Sequence, residues 1–106
     1  MNELTFHFSE SHPCGAGHFP GNPIIPGALL LDETLARIAA SLGMHHVIWH
    51  IKSAKFPMST RPGDIVHANF SPSPNGEIRF DCFVSGNKVL SGTARGSALA
   101  TTGSTP

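Results

Sequence analysis

The chain is poor in charge and in cysteine, and it holds no long apolar run. Seven Lys and Arg balance seven Asp and Glu, so formal net charge is zero and only 13% of the 106 residues are charged. A neutral balance gives no support for a nucleic-acid or acidic-membrane partner, since either needs a basic patch. So lightly charged a surface is compatible with partial burial in an oligomer. The two cysteines, Cys14 and Cys82, have no CxxC spacing and make no disulfide framework. They read as thiols in a reducing compartment. No apolar stretch approaches the roughly 20 residues of a membrane span. The first ten residues, MNELTFHFSE, carry an early acid and no apolar core of a signal peptide. These absences point to a cytoplasmic protein. The length suits one modest core, hence a single domain over residues 1–100 and a disordered tail, TTGSTP, at 101–106.

What is present falls into two halves. Residues 3–9 alternate, with Leu4, Phe6 and Phe8 on one face, which predicts a strand. Residues 10–27 hold four Gly and four Pro without periodicity. They predict a long structured loop, and such loops in small domains are usually functional. Residues 28–42 (ALLLDETLARIAASL) contain neither Gly nor Pro and predict a helix that ends at Gly43. The second half is strand-like. VIWHI lies within residues 45–56, and residues 65–71, 78–84 and 88–98 follow, the last three separated by SPNG and SGNK turns. Three strands on short turns predict an antiparallel meander. The expected class is α+β, with about five strands and one helix.

Winding the helix at about 3.6 residues per turn puts Ala28, Leu31, Leu35, Ile38, Ala39 and Leu42 on one face. Glu33, Thr34, Arg37 and Ser41 fall opposite, with Glu33 and Arg37 spaced to pair across a turn. Asp32 stands at the edge of the apolar face. A carboxyl at a dry boundary holds its proton more readily than one in water, as a general acid must. An acid near a helix start is equally well explained by the helix dipole, and the helix alone does not decide between these.

The segment before the helix adds a motif. His18-Phe19-Pro20-Gly21 is followed by Pro23, Pro26 and Gly27, and Asp32 lies fourteen residues after His18. This pattern resembles the 3-hydroxyacyl-(acyl carrier protein) dehydratases of bacterial fatty-acid synthesis. Lys55-Phe56 and Arg61-Pro62-Gly63-Asp64 resemble a second segment of that family, and the likeness covers roughly residues 8–97. It implies a hot-dog fold, an antiparallel sheet wrapped around one helix. It also implies a homodimer or trimer of dimers with active sites at the dimer interface, one chain supplying His18 and the other Asp32. The substrate is then an acyl carrier protein or CoA thioester. Most of the family has Glu at the acid position. Asp is the choice of the branch that also isomerises the double bond, and no isomerase activity is read from it. The chain departs from the pattern at Cys14 and Gly15, where bulky aromatics are usual, and at Ala36, where Gln is common.

The residue types suit that chemistry. An imidazole titrating near neutrality can take the C2 proton of a 3-hydroxyacyl thioester. A carboxylic acid can protonate the departing C3 hydroxyl. The Gly27 N–H, at a helix N-terminus, can stabilise the thioester oxygen as charge builds on it. Phe19, Pro26 and Ala28 flank these groups and are assigned to substrate binding. No metal or cofactor is expected. His46 and His50 have no third ligand of convincing spacing, and Cys14 with His18 has no orienting third group. Trp49, Ile48 and Ile51 are expected in the core. Lys52, Lys55, Arg61 and Lys88 form either a shallow basic patch or an ordinary solvated surface. Two other readings stay open: an acyl-thioester-binding protein of low or no activity, and a hot-dog thioesterase.

Overall fold

The structure is a computed structural model that describes residues 2–9 and 24–98. Five strands and one helix follow in the order β1 (Asn2–His7), α1 (Gly27–Ser41), β2 (Val47–Lys55), β3 (Ile65–Pro72), β4 (Glu77–Val84) and β5 (Asn87–Ala98). All strands join one antiparallel sheet in the order β1-β3-β4-β5-β2. One helix packed on one antiparallel sheet is the hot-dog arrangement that the family resemblance implies.

Alternation builds the sheet as expected. Val66, Ala68 and Phe70 of β3 and Ile78, Phe80 and Cys82 of β4 are buried, while their neighbours face outward. The β3–β4 turn is held by Asn75, whose side-chain oxygen accepts from the Ser73 hydroxyl and the Glu77 N–H. The predicted meander is β3-β4-β5. The placement of β1 beside β3 and of β2 beside β5 brings together strands far apart in the chain.

Helix α1 crosses the sheet, its Leu30, Leu35 and Ile38 joining the core formed by the inward strand residues. It begins at Gly27 and ends at Ser41, one residue earlier at each end than expected. Gly43 adopts φ 71° just beyond it, and the Met44 N–H closes back on the Ala39 carbonyl at 2.9 Å. The buried stripe is Leu30, Thr34, Leu35, Ile38 and Ala39, rotated from the predicted face. Ala28 is exposed, as is Leu42, and Thr34 is fully buried rather than solvated. Thr34 can be buried because its hydroxyl donates to the Leu30 carbonyl at 2.7 Å and lies 3.5 Å from the Cys82 sulfur.

Strand β2 also departs from the expected burial. Trp49 is half-buried and packs on the core, but Ile48 and Ile51 are 55% and 38% exposed. β2 is an edge strand, and no neighbouring strand among the described residues covers its outer side.

Candidate active site

The site is built at the start of α1. Pro26 leads into the helix with φ −57° and ψ 143°, and its carbonyl accepts the N–H groups of Leu29 and Leu30 at 3.0 and 3.1 Å. No described side chain caps this end, and no acid lies in the first turn. No acceptor for the Gly27 N–H is found among the described residues. Among the described residues nothing compensates the positive end of the helix dipole there, which suits an incoming oxygen with negative charge.

The β2–β3 connection closes over this helix start. The Ile25 N–H donates to the Thr60 carbonyl at 2.7 Å, an isolated antiparallel bridge. The Phe56 ring lies so near Gly27 that a Cβ there would meet it at 3.0 Å. Glycine thus permits a close approach that alanine would crowd. Between these parts is a cavity of about 200 Å³, lined by Pro26, Gly27 and Leu30 on one side and Phe56, Met58 and Thr60 on the other. The connection is itself tied down: the Asp64 carboxylate accepts the Arg61 N–H at 2.8 Å, and the Gly63 N–H donates to the Phe8 carbonyl at 2.8 Å.

Of the predicted site residues, Gly27 and Pro26 line the cavity. Ala28 and Asp32 are exposed on α1. Asp32 stands in one ridge with Ala28, Ala36 and Ala40, all uncovered in the single chain. The dry boundary expected for Asp32 is not formed within this chain, because the buried stripe is rotated away from it. The dipole explanation fails as well, since a helix starting at Gly27 puts Asp32 beyond the first turn. His18 and Phe19 lie outside the described residues, as do Cys14 and the tail at 101–106. Glu33 and Arg37 pair at 2.5 Å as expected, and Arg37 also lies 5.0 Å from the Phe6 ring centroid.

Sequence reading passed over Phe56, Met58 and Thr60 as site residues. The motif on each side of them was visible, but their approach to the helix start depends on a contact distant in the chain. Two of the four basic residues are paired with acids, whereas Lys55 and Arg61 are exposed. Lys52 pairs with Glu77 at 2.5 Å and Lys88 with Asp81 at 3.3 Å. His45, His46, His50 and His67 are all exposed. No helix among the described residues is long and apolar enough to cross a membrane.

Comparison with known proteins extends the picture. Residues 1–93 match the model of a family described as ApeI-like, ApeI dehydratase. A 3-hydroxyacyl-[acyl-carrier-protein] dehydratase FabZ from Wolbachia pipientis wMel is 37% identical over 105 residues, covering 88% of this chain and 70% of that one. The FabZ of Lactiplantibacillus plantarum is 43% identical over 58 residues, covering 47% of this chain and 39% of its own. The chain thus matches only about two fifths of some curated relatives. Among solved structures, the dehydratase heterocomplex ApeI:P from Xenorhabdus doucetiae aligns with a TM-score of 0.73 at 17% identity, covering 89% of this chain and 84% of that one. The matched family model spans nearly the whole chain and the fold agrees with it, so this protein belongs to the ApeI-like dehydratase family.

Proposed function

We propose that this protein dehydrates a 3-hydroxyacyl thioester, carried on acyl carrier protein or CoA, to the trans-2-enoyl thioester. The observation that carries the reading is the cavity at the start of α1, lined by Gly27, which follows His18 by nine residues in the chain. His18 takes the proton from C2. The electrons of that C–H bond form the C2–C3 double bond as the C3–O bond breaks. Asp32 supplies the proton with which the hydroxyl leaves as water. The Gly27 N–H stabilises negative charge on the thioester oxygen, worth about 3 kcal/mol in the transition state. Phe19, Pro26 and Ala28 hold the acyl group beside these atoms.

Exposure of Asp32 in the single chain supports an assembly in which a second copy covers the Ala28–Asp32–Ala36 ridge and Asp32 serves the partner's His18. The family relationship supports the same reading, whether as a dimer or a trimer of dimers. The setting proposed is the cytoplasm, with one domain spanning residues 1–100.

The test uses the reverse reaction. Purified protein mixed with a trans-2-enoyl thioester should bleach the conjugated absorbance as water adds. His18→Ala and Asp32→Asn should each slow this by about a hundredfold or more, the usual weight of a positioned acid or base. An inactive wild type, or full activity in His18→Ala, would sink the proposal.

A further inference from the structure

The cavity at the helix start is mostly apolar, yet one of the residues lining it carries a buried hydroxyl. Thr60 lines the cavity, is 1% exposed, and its Oγ1 has no hydrogen-bond partner. No other buried side-chain nitrogen or oxygen among the described residues is left in that condition. Thr34 makes the contrast. It is equally buried, but its hydroxyl donates to a carbonyl at 2.7 Å. Thr60 has its backbone carbonyl engaged by Ile25, and no polar group among the described residues engages its side chain. An unsatisfied buried hydroxyl costs stability, and valine would fill nearly the same volume without that cost. Since no hydrogen bond pins the side chain, the hydroxyl can turn to a ligand atom in the adjoining space.

We propose that Thr60 is a specificity-determining residue that hydrogen-bonds the 3-hydroxyl of the acyl group. The inference rests on the dehydratase reading above and deepens it. In that reading the Gly27 N–H faces the thioester oxygen and Asp32 donates to the 3-hydroxyl, which keeps a donor and an acceptor site still to be matched. A hydroxyl carries one donor and two acceptor sites, so it can meet Thr60 and the proton-donating acid together. Thr60 moves no proton. It selects acyl groups that carry the oxygen, because one without it leaves the buried Thr60 hydroxyl unpaired. Sites built around a substrate hydroxyl discriminate strongly against analogues that lack it. Once elimination removes that oxygen as water, the enoyl product loses the bond, which favours its release.

Unreactive analogues separate this from the chemistry. The probes are the (R)-3-hydroxybutyryl and butyryl amides of aminopantetheine, with amide replacing thioester, titrated calorimetrically into the full chain. Wild type should bind the hydroxy analogue about tenfold more tightly. Thr60→Val should bind both alike while melting no lower than wild type, and Thr60→Ser should recover part of the preference. A purely structural Thr60 predicts a changed melting temperature with the preference intact. The inference is overturned if wild type shows no preference, if it binds neither analogue, or if Thr60→Val keeps the preference. Should Thr60→Val fail to fold, Thr60→Ser against wild type still decides: its preference must be weakened but present. The hydration assay reports separately. An active wild type whose preference ignores Thr60 loses this inference alone, whereas an inactive wild type loses the dehydratase reading.

Discussion

Thr34 and Asp32, two positions apart on α1, both depart from the environments that the helix period predicts. Thr34 is buried because the Leu30 carbonyl takes its hydroxyl, and Asp32 is exposed because it falls off the buried stripe. Burial at this scale follows local satisfaction of polar groups as much as residue type. Cys82, beside Thr34, has its thiol pushed up to about 11 chiefly by burial, with the Thr34 hydroxyl opposing and the Asp81 charge adding to the rise. It therefore stays protonated and unreactive at neutral pH. Ile38 is the hub of the stripe, with no exposed surface at all. Ile38→Ala should cost about 2–5 kcal/mol through lost burial and the cavity it leaves. Urea unfolding followed by circular dichroism measures it, and a loss under 1 kcal/mol would mean that α1 is not anchored there.

The elements themselves were legible. Alternation marked β1, β3 and β4, the Gly- and Pro-free stretch marked α1, and the SPNG and SGNK turns marked the hairpins. Register was not legible, and register makes the charge cluster on the outer face. Glu77 lies opposite Arg95, and Arg95 opposite His50, so Glu77 meets Lys52 at 2.5 Å and Arg95 at 3.8 Å. The Lys52 hydrogen bond holds the Glu77 carboxyl below its ordinary value of 4.5, Arg95 helps, and desolvation opposes. A carboxyl lowered in the folded state stabilises above the unfolded value, and the benefit is lost as pH falls below 4.5 and through the folded value. Glu77→Gln should thus lower the melting temperature slightly at pH 7 and low salt. That difference should shrink toward pH 3 and in 1 M salt. A difference independent of both would assign the loss to packing instead.

The whole molecule is lopsided in its edges. The outward side chains of β1 include Glu3, Thr5 and His7, whereas β2 and the connection after it expose Ile48, Ile51, Phe56 and Met58. An unpaired edge strand with exposed apolar groups is a natural surface for strand-to-strand association. We propose that the assembly covering the Ala28–Asp32–Ala36 ridge also buries this β2 edge against the second copy. Ile48→Lys combined with Ile51→Lys should shift the mass in light scattering to that of one chain and abolish enoyl hydration together. A double variant that stays assembled, or that is monomeric and fully active, would contradict this arrangement.

The order of residues alone was enough for the fold class, the identity of the helix and strands, and the motif from His18 to Asp32, because period, turn chemistry and motif spacing are local properties. Tertiary structure decided what depends on distant contacts. It set which face of α1 is buried and made β2 an edge that leaves Ile48 and Ile51 outside. It also brought Phe56 and Thr60 against Gly27 to make the cavity. Those outcomes turn on strand order and on one bridge between Ile25 and Thr60, and no local pattern encodes the meeting of two segments that far apart in the chain.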